Sequence, residues 1–538
     1  MARWFVDRLP QRGIPSVSLR RLLPEAQFVG CADWNVSGCT DDHRRLEPGQ
    51  VFVAARKAQT GYDGNLFVRE ALERGAAGVV LERPCDLAGR LQVVVPDAMA
   101  AHARICHALA GDPSRQLVTL GVTGSFGKTI TALMVHSIIE AAGDRCGLAG
   151  SLGFHDGVDV RPVGAGFETR AGGNGSVSTL NRREHEPGAF APGAAGIAAL
   201  LAAMVERRCK GGILEVSSAA LACHSFDGIA FHAAVVTDVA APFGFPPEVL
   251  LQKRRAKAKL FRQIAPGGIA VVNADDPHAE ILGGINLEAR RVAFGFERAS
   301  ATRGGVVDVS AKVERIDGSG IRMVLHGFDR EAAVHLPLIG PRVATCALAA
   351  AALAWAVEID QADVVAGLEA VQCVAGHLES VVLGQDFDVR IDAAQTPEDL
   401  AEVLSALRAV AAGRVHVVLS AEGGGDRPDR RRLAEVVENC ADRTILTLSN
   451  PRTEDPNQIL DDLLTGFVRP GKVRVEPDRQ IAIEAALADA RAGDVVLITG
   501  KGRRAYQIFA DSVVPFDDHA IVRRWFQFHK PAFAQRSA

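Results

Sequence analysis

Apolar positions in this chain gather into short unbroken runs, each bounded by glycine, proline or polar clusters and followed by stretches apolar at helical spacing. Val51-Phe-Val-Ala54, Gly78-Val-Val-Leu81 and Leu91-Gln-Val-Val-Val95 read as buried strands, with a helix around Phe67–Arg74 between the first two. The run Leu117 to Leu120 reads as another strand. It breaks into a turn carrying Gly121, Gly124 and Gly127, and Ala132 to Ala142 is then apolar at helical period until Gly143 stops it. Gly212-Ile-Leu-Glu215, Ala233 to Asp238 and Gly268 to Pro277 are further strands. Between Gly150 and Gly196 periodicity fades into a glycine- and alanine-rich stretch, expected to be a long surface excursion. After Gly376 strands and helices alternate again. Such alternation predicts an α/β fold.

Length turns that pattern into about three domains at roughly 100–200 residues each. The 538 residues divide at 1–112, 113–375 and 376–538. Hydrophobic residues make up 48 %, ample for several cores, and the net charge of −4 points to no nucleic-acid or anionic-membrane partner. The longest apolar run, Cys346 to Val357, is alanine-rich and too short to span a bilayer, so it reads as a core helix. Residues 1–22 hold several arginines but no apolar signal core. Ten cysteines are scattered singly, without a Cys-x-x-Cys pair or a histidine spacing for zinc. They read as reduced, buried thiols of a cytoplasmic protein.

The chemistry concentrates at Thr119 to Thr131. Strand, glycine turn, Lys-Thr and helix together cradle a nucleotide triphosphate: glycines let backbone N–H groups close on phosphates, Lys128 reaches the outer phosphates, and the Thr129 hydroxyl can hold Mg²⁺. Gly124, Ser125 and Gly127 complete the candidate loop. Five residues separate Gly121 from Gly127, one more than the standard phosphate loop allows. Glu215 ends a strand, and a strand-tip acid suits Mg²⁺, which prefers one or two carboxylates plus water and phosphate. A salt bridge at a strand end is the plainer reading of the same residue.

The loop as spelled, Gly121-x-Thr-Gly-x-x-Gly-Lys-Thr129, resembles that of the Mur ligases and their folylpolyglutamate synthetase relatives, with Ser125-Phe126 where Thr-Asn is usual. Asp42-His-Arg-Arg-Leu-Glu-Pro-Gly-Gln-Val-Phe-Val-Ala54, Tyr62-Asp-Gly-Asn-Leu-Phe67 and Gly75-Ala76 resemble the uridine-nucleotide domain of those that add the third amino acid to UDP-N-acetylmuramoyl-dipeptide. The resemblance covers about residues 15–528. It implies a three-domain Mur ligase architecture with a central P-loop-type ATPase domain, and ATP and Mg²⁺ as cofactors. It further implies a reaction in which ATP phosphorylates a carboxylate and an amine displaces the phosphate. Lys128, Glu215 and Lys257 take the catalytic places, and Thr129, Glu215 and Lys257 the metal places. Lys257, in Ala256-Lys257 followed by Leu260-Phe261, stands where the family's lysine is carbamylated. Asn273 and Asp392 join the nucleotide set; Asp42, Arg44, Ser217, Asn450 and Arg452 are substrate-binding by the same resemblance.

Departures from the family cluster at its sites. His43 replaces a serine and is open to two readings, a changed pocket or an exposed loop histidine. Phe190-Ala191-Pro192 lacks the hydroxyls of Thr-Thr-Pro, and Phe243 replaces a histidine metal ligand. Val343 and Cys346 replace asparagines, His377 an arginine, and Ala393 and Gln395 a tyrosine and a histidine. In the amino-acid pocket Ser449 and Arg504 stand where acids do, so a diaminopimelate acceptor is not expected to be preferred over an anionic or neutral one. The expectation is one firmly held Mg²⁺ and an amide-forming ligase on a UDP-muramoyl-peptide-like or other carboxylate plus an amine. The alternative is a non-catalytic paralogue that binds nucleotide or a protein partner.

Overall fold

The computed structural model describes residues 16–57, 61–87, 89–161, 193–239, 247–279, 288–296 and 307–534. Phe190-Ala191-Pro192 and Phe243 lie outside the described residues. Packing gathers the chain into one unit of Met1–Ala311, His326–Arg330 and Cys346–Leu368 and a second of Lys312–Leu325, Glu331–Thr345 and Glu369–Ala538.

The first unit begins with a five-stranded sheet in the order Gln27–Val29, Gln92–Val94, Gly78–Leu81, Val51–Val53, Cys39–Thr40. All neighbours are parallel except the first pair. Strand side chains alternate faces, and here each face has its own cover. Val51 and Val53 pack with Ala98, Ala101 and Ile105 of the helix Ala98–Leu109, while Phe52 packs with Val68 and Ala71 of the helix Val68–Glu73. The helix expected over Phe67–Arg74 is therefore slightly shorter, preceded by a 3-10 turn at Gly64–Phe67.

A larger sheet carries the candidate chemistry. Its parallel core runs Cys146–Gly150, Gly211–Glu215, Val118–Thr123, Phe231–Val236, Ile264–Asn273 and Arg290–Phe296. All six residues of Val118–Thr123 are buried, as expected for a central parallel strand covered on both faces. Gly121 lies inside this strand and not in the turn. A Cβ there would sit 3.0 Å from the Phe231 ring and 3.1 Å from Leu260, so this glycine serves close packing and the phosphate loop proper starts at Gly124. Register pairs Val122 with Glu215 and Thr123 with Val236. The carboxyl ends of three neighbouring strands therefore open on the same edge, where ligands of parallel α/β sheets bind.

The second unit holds a six-stranded sheet in the order Glu379–Ser380, Asp388–Ile391, Val495–Ile498, Val415–Ala421, Arg443–Leu448, Val473–Val475. Only the first pair is antiparallel. Helices Pro397–Val410, Arg427–Cys440 and Pro456–Leu464 pack one face, and Arg479–Asp489 with Asp518–Ala534 the other. The apolar run after Cys346 forms the later part of a helix Pro341–Ala356 whose alanines are buried, as read from the sequence. Among the described residues no helix is long and apolar enough to cross a membrane.

Candidate functional site

The helix Lys128–Ala141 starts directly at the lysine of the loop, with Gly127 as its N-cap at φ +73°, a left-handed conformation that glycine adopts without strain. A Cβ on Gly127 would meet Cys346 Sγ at 2.5 Å, and one on Gly124 would meet Thr237 Oγ1 at 1.9 Å. The Lys128 ammonium folds over the loop and donates to the carbonyls of Gly124 (3.1 Å) and Ser125 (3.3 Å). On the next residue, Thr129 Oγ1 donates to Glu215 Oε1 at 3.1 Å and shares a 2.8 Å hydrogen bond with Ser151 Oγ. Ser151 donates to the other carboxylate oxygen through its backbone N–H (2.8 Å) and hydroxyl (2.9 Å). Adjacent oxygens around octahedral Mg²⁺ at about 2.0–2.1 Å stand about 2.9 Å apart. The Thr129–Glu215 separation fits that edge, and the donor set is all oxygen, so these residues suit the ion.

Lys257 lies on the helix Pro247–Arg262 and is buried, although its neighbours Lys253, Arg254 and Arg255 make the segment look like a solvated basic face. Its Nζ donates to Ser125 Oγ at 2.5 Å and to the Asp238 carbonyl at 3.3 Å, and it faces the Asp238 carboxylate at 3.7 Å. Asp238 in turn accepts from the backbone N–H groups of Ser125 and Phe126, the amides that open the phosphate loop. Burial pushes the Asp238 carboxyl above its usual range against the pull of Lys257, and burial lowers Lys257 to about 8 against the pull of Asp238. This places Lys257 Nζ against the phosphate loop, beside Asp238 and Ser125. Asp238 escaped sequence reasoning, yet it is a strand-tip acid like Glu215, one strand over.

Asn273 spends its side chain locally, donating to the Thr237 carbonyl (2.7 Å) and accepting from Asp275 N–H (2.9 Å). It holds two strand ends in place. Ser217 caps the short helix Ser218–Ala222, accepting from Ala220 N–H at 3.1 Å.

In the N-terminal loop, Asp42 caps the turn His43–Arg45 and takes Arg44 in a two-pronged pair at 2.9 and 2.8 Å. His43 is 6 % exposed. It bonds Tyr62 Oη at 2.9 Å and stacks on Phe67 with ring centres 3.9 Å apart. The exposed-loop reading of His43 therefore fails: its ring is buried, stacked on Phe67 and bonded to Tyr62.

In the second unit Asp392 is buried, accepting from Leu378 N–H (2.7 Å) and Ala394 N–H (2.6 Å), and burial raises its carboxyl above the usual range. Asn450 and Arg452 converge on a residue the sequence reading missed, Glu422, just beyond the strand Val415–Ala421. Asn450 Nδ2 reaches Glu422 Oε1 at 2.7 Å, Arg452 reaches Oε2 at 3.2 Å, Arg504 reaches Oε1 at 2.9 Å and Gln395 reaches Oε1 at 3.2 Å. The loss of acids at 449 and 504 is thus partly made good, and Arg504 is tied to a carboxylate. Arg503 turns elsewhere, forking onto Glu379 at 3.0 and 2.6 Å. Arg452 adopts φ +57°, an uncommon backbone state for a non-glycine residue that occurs at functional loops. A Cβ on Gly423 would strike the Pro451 carbonyl at 1.8 Å, so the residue after Glu422 must be glycine for the two loops to meet.

The Mur ligase middle domain matches residues 122–354, and the Mur ligase glutamate ligase domain matches residues 378–502. A UDP-N-acetylmuramoyl-L-alanyl-D-glutamate–2,6-diaminopimelate ligase of Gloeobacter violaceus is 34 % identical over 95 % of this chain and 98 % of its own. The protein of the same name from Syntrophomonas wolfei is 31 % identical over 91 % of this chain and 95 % of its own. A solved structure of a ligase with this name superposes with a TM-score of 0.65 at 23 % identity, covering 96 % of this chain and all of that one. The chain belongs to the Mur ligases, a family of ATP-dependent, amide-bond-forming ligases.

Proposed function

We propose that this protein joins an amino acid to the carboxylate of a UDP-muramoyl-dipeptide-like substrate with ATP and one Mg²⁺, forming ADP and phosphate. The observation that carries this is the oxygen pair of Thr129 and Glu215, 3.1 Å apart at the open end of the phosphate loop beside Lys128. Bound Mg²⁺ would draw charge off the phosphate oxygens. Thr129 and Glu215 would hold it, with Ser151 fixing the carboxylate rotamer. Lys128 leaves its carbonyl contacts to meet the charge that grows on the transferred phosphoryl group. Lys257 stays an ammonium that neutralises Asp238 and braces Ser125. An intact phosphate loop and metal pair favour a working ligase over a non-catalytic paralogue.

The family's division at 1–112, 113–375 and 376–538 assigns the uridine nucleotide to Asp42 and Arg44, the nucleotide loop to the centre, and the incoming amino acid to Asn450 and Arg452. The relatives are named for diaminopimelate. Here two guanidiniums, Arg452 and Arg504, both pair with the carboxylate of Glu422. With Ser449 and Arg504 standing where the family has acids, these two arginines favour an acceptor whose far end is anionic or neutral. Phosphate release measured with and without UDP-N-acetylmuramoyl-dipeptide tests the reading. Release should rise with the dipeptide and an amine and vanish in Lys128→Ala; equal ATP affinity and turnover in parent and variant would overturn it.

A further inference from the structure

Away from the phosphate loop, three side chains that sequence spacing kept apart meet under the helix Ala98–Leu109. His102 and Cys106 stand four residues apart on that helix, hence on one face. Cys39 comes up to them from the edge strand Cys39–Thr40. The two sulfurs are 3.6 Å apart, Cys106 Sγ is 3.3 Å from His102 Nε2, and the three ligand atoms all lie within 4.8 Å of one another. His102 and Cys106 are buried. Behind the imidazole, Asp41 faces His102 Nδ1 at 3.7 Å, and Lys57 holds Asp41 at 2.9 Å.

A tetrahedral zinc with Zn–S about 2.3 Å and Zn–N about 2.0–2.1 Å sets its sulfurs about 3.8 Å apart and sulfur and nitrogen about 3.6 Å apart. The Cys39–Cys106 and Cys106–His102 separations are within a few tenths of an ångström of those edges, and Cys39 and His102 lie within 4.8 Å of each other. A carboxylate behind the far nitrogen of the histidine is the arrangement that fixes such a ligand's tautomer, leaving Nε2 to face the metal. Soft thiolates with one imidazole select zinc over Mg²⁺, which takes oxygen.

We propose that Cys39, His102 and Cys106 form a zinc site, with water in the fourth position. On binding, each thiol gives up one proton to solvent, and His102 keeps its single proton on Nδ1 toward Asp41. The ion would fasten the strand that leads into Asp42 and Arg44 to the helix behind it.

The test uses the full chain, reduced and stripped of metal, titrated with Zn²⁺ against a chromophoric chelator and in parallel with Co²⁺. One zinc per chain should bind, and cobalt should show a thiolate-to-metal charge-transfer band with intense tetrahedral d–d bands. Cobalt at the Thr129–Glu215 oxygens would give no such charge transfer, so the phosphate-loop site cannot mimic the result. Cys106→Ser should abolish the band, and Asp41→Asn, which keeps all three ligands, should weaken zinc about 10–100-fold. Should Cys106→Ser fail to fold, Asp41→Asn still decides. No charge-transfer band, an unchanged band in Cys39→Ser or unchanged zinc affinity in Asp41→Asn would overturn the proposal. So would a Cys39–Cys106 disulfide that re-forms with no zinc uptake.

Discussion

At the scale of single residues, Lys257 carries an explicit pH dependence. Its folded-state value near 8 lies below the 10.5 of a free lysine because burial disfavours the charge. Between those values the unfolded chain holds a proton that the folded chain has released, so this residue's contribution to stability rises as pH rises through that window. Unfolding free energies of parent and Lys257→Met, compared at pH 7 and pH 9.5, should show the parent gaining on the variant by about 2 kcal/mol, the roughly 1.5 pH units between about 8 and 9.5 at about 1.36 kcal/mol each. A parent that loses ground with rising pH would contradict the buried amine. Glu215 offers a second check. Glu215→Gln keeps the shape but removes the charge, and the Mg²⁺ concentration giving half-maximal ATP turnover should rise at least about tenfold, the scale of roughly 1.4 kcal/mol lost from one charge-assisted contact.

Elements show what periodicity could and could not reveal. The buried strands at 51–54, 78–81, 117–120 and 212–215 were legible because short apolar runs between turn residues have few other uses. The strand-tip logic that picked out Glu215 was equally available for Asp238 and Glu422, but nothing local marks which strand ends neighbour which. Register supplies that, by pairing Thr123 with Val236 and Ser420 with Thr447. The cysteine–histidine cluster was invisible for the same reason: Cys39 lies far from His102 and Cys106 in sequence and reaches them only through the fold. Another hidden tie is Arg479, fully buried with Asp518 and forked onto it at 2.9 and 2.7 Å, joining the helices Arg479–Asp489 and Asp518–Ala534. Arg479→Ala strands the Asp518 carboxylate and should cost about 3–5 kcal/mol in urea unfolding. A change under 1 kcal/mol would mean water reaches the pair. Gly124→Ala should likewise weaken the phosphate loop, because its Cβ would overlap Thr237 Oγ1, and overpacking costs about 1–3 kcal/mol. ATP binding and melting temperature should fall together.

On the scale of the whole molecule, family and architecture were legible from motif order alone, whereas the acceptor pocket was not. Counting Ser449 and Arg504 as lost acids left out Glu422, which only the fold brings to Arg452 and Arg504. The pair of arginines is less free than the motifs suggest, because Arg452 and Arg504 both reach the Glu422 carboxylate. A diaminopimelate acceptor would bring a distal ammonium, as well as a distal carboxylate, toward these two guanidiniums. The most direct measurement is substrate-dependent phosphate release with ATP, Mg²⁺ and UDP-N-acetylmuramoyl-dipeptide, run across diaminopimelate, lysine, glutamate and no amine, in parent and Lys128→Ala. The account predicts amine-dependent release in the parent alone, greater with glutamate than with diaminopimelate or lysine. Robust turnover with diaminopimelate only, or silence with every amine, would contradict it.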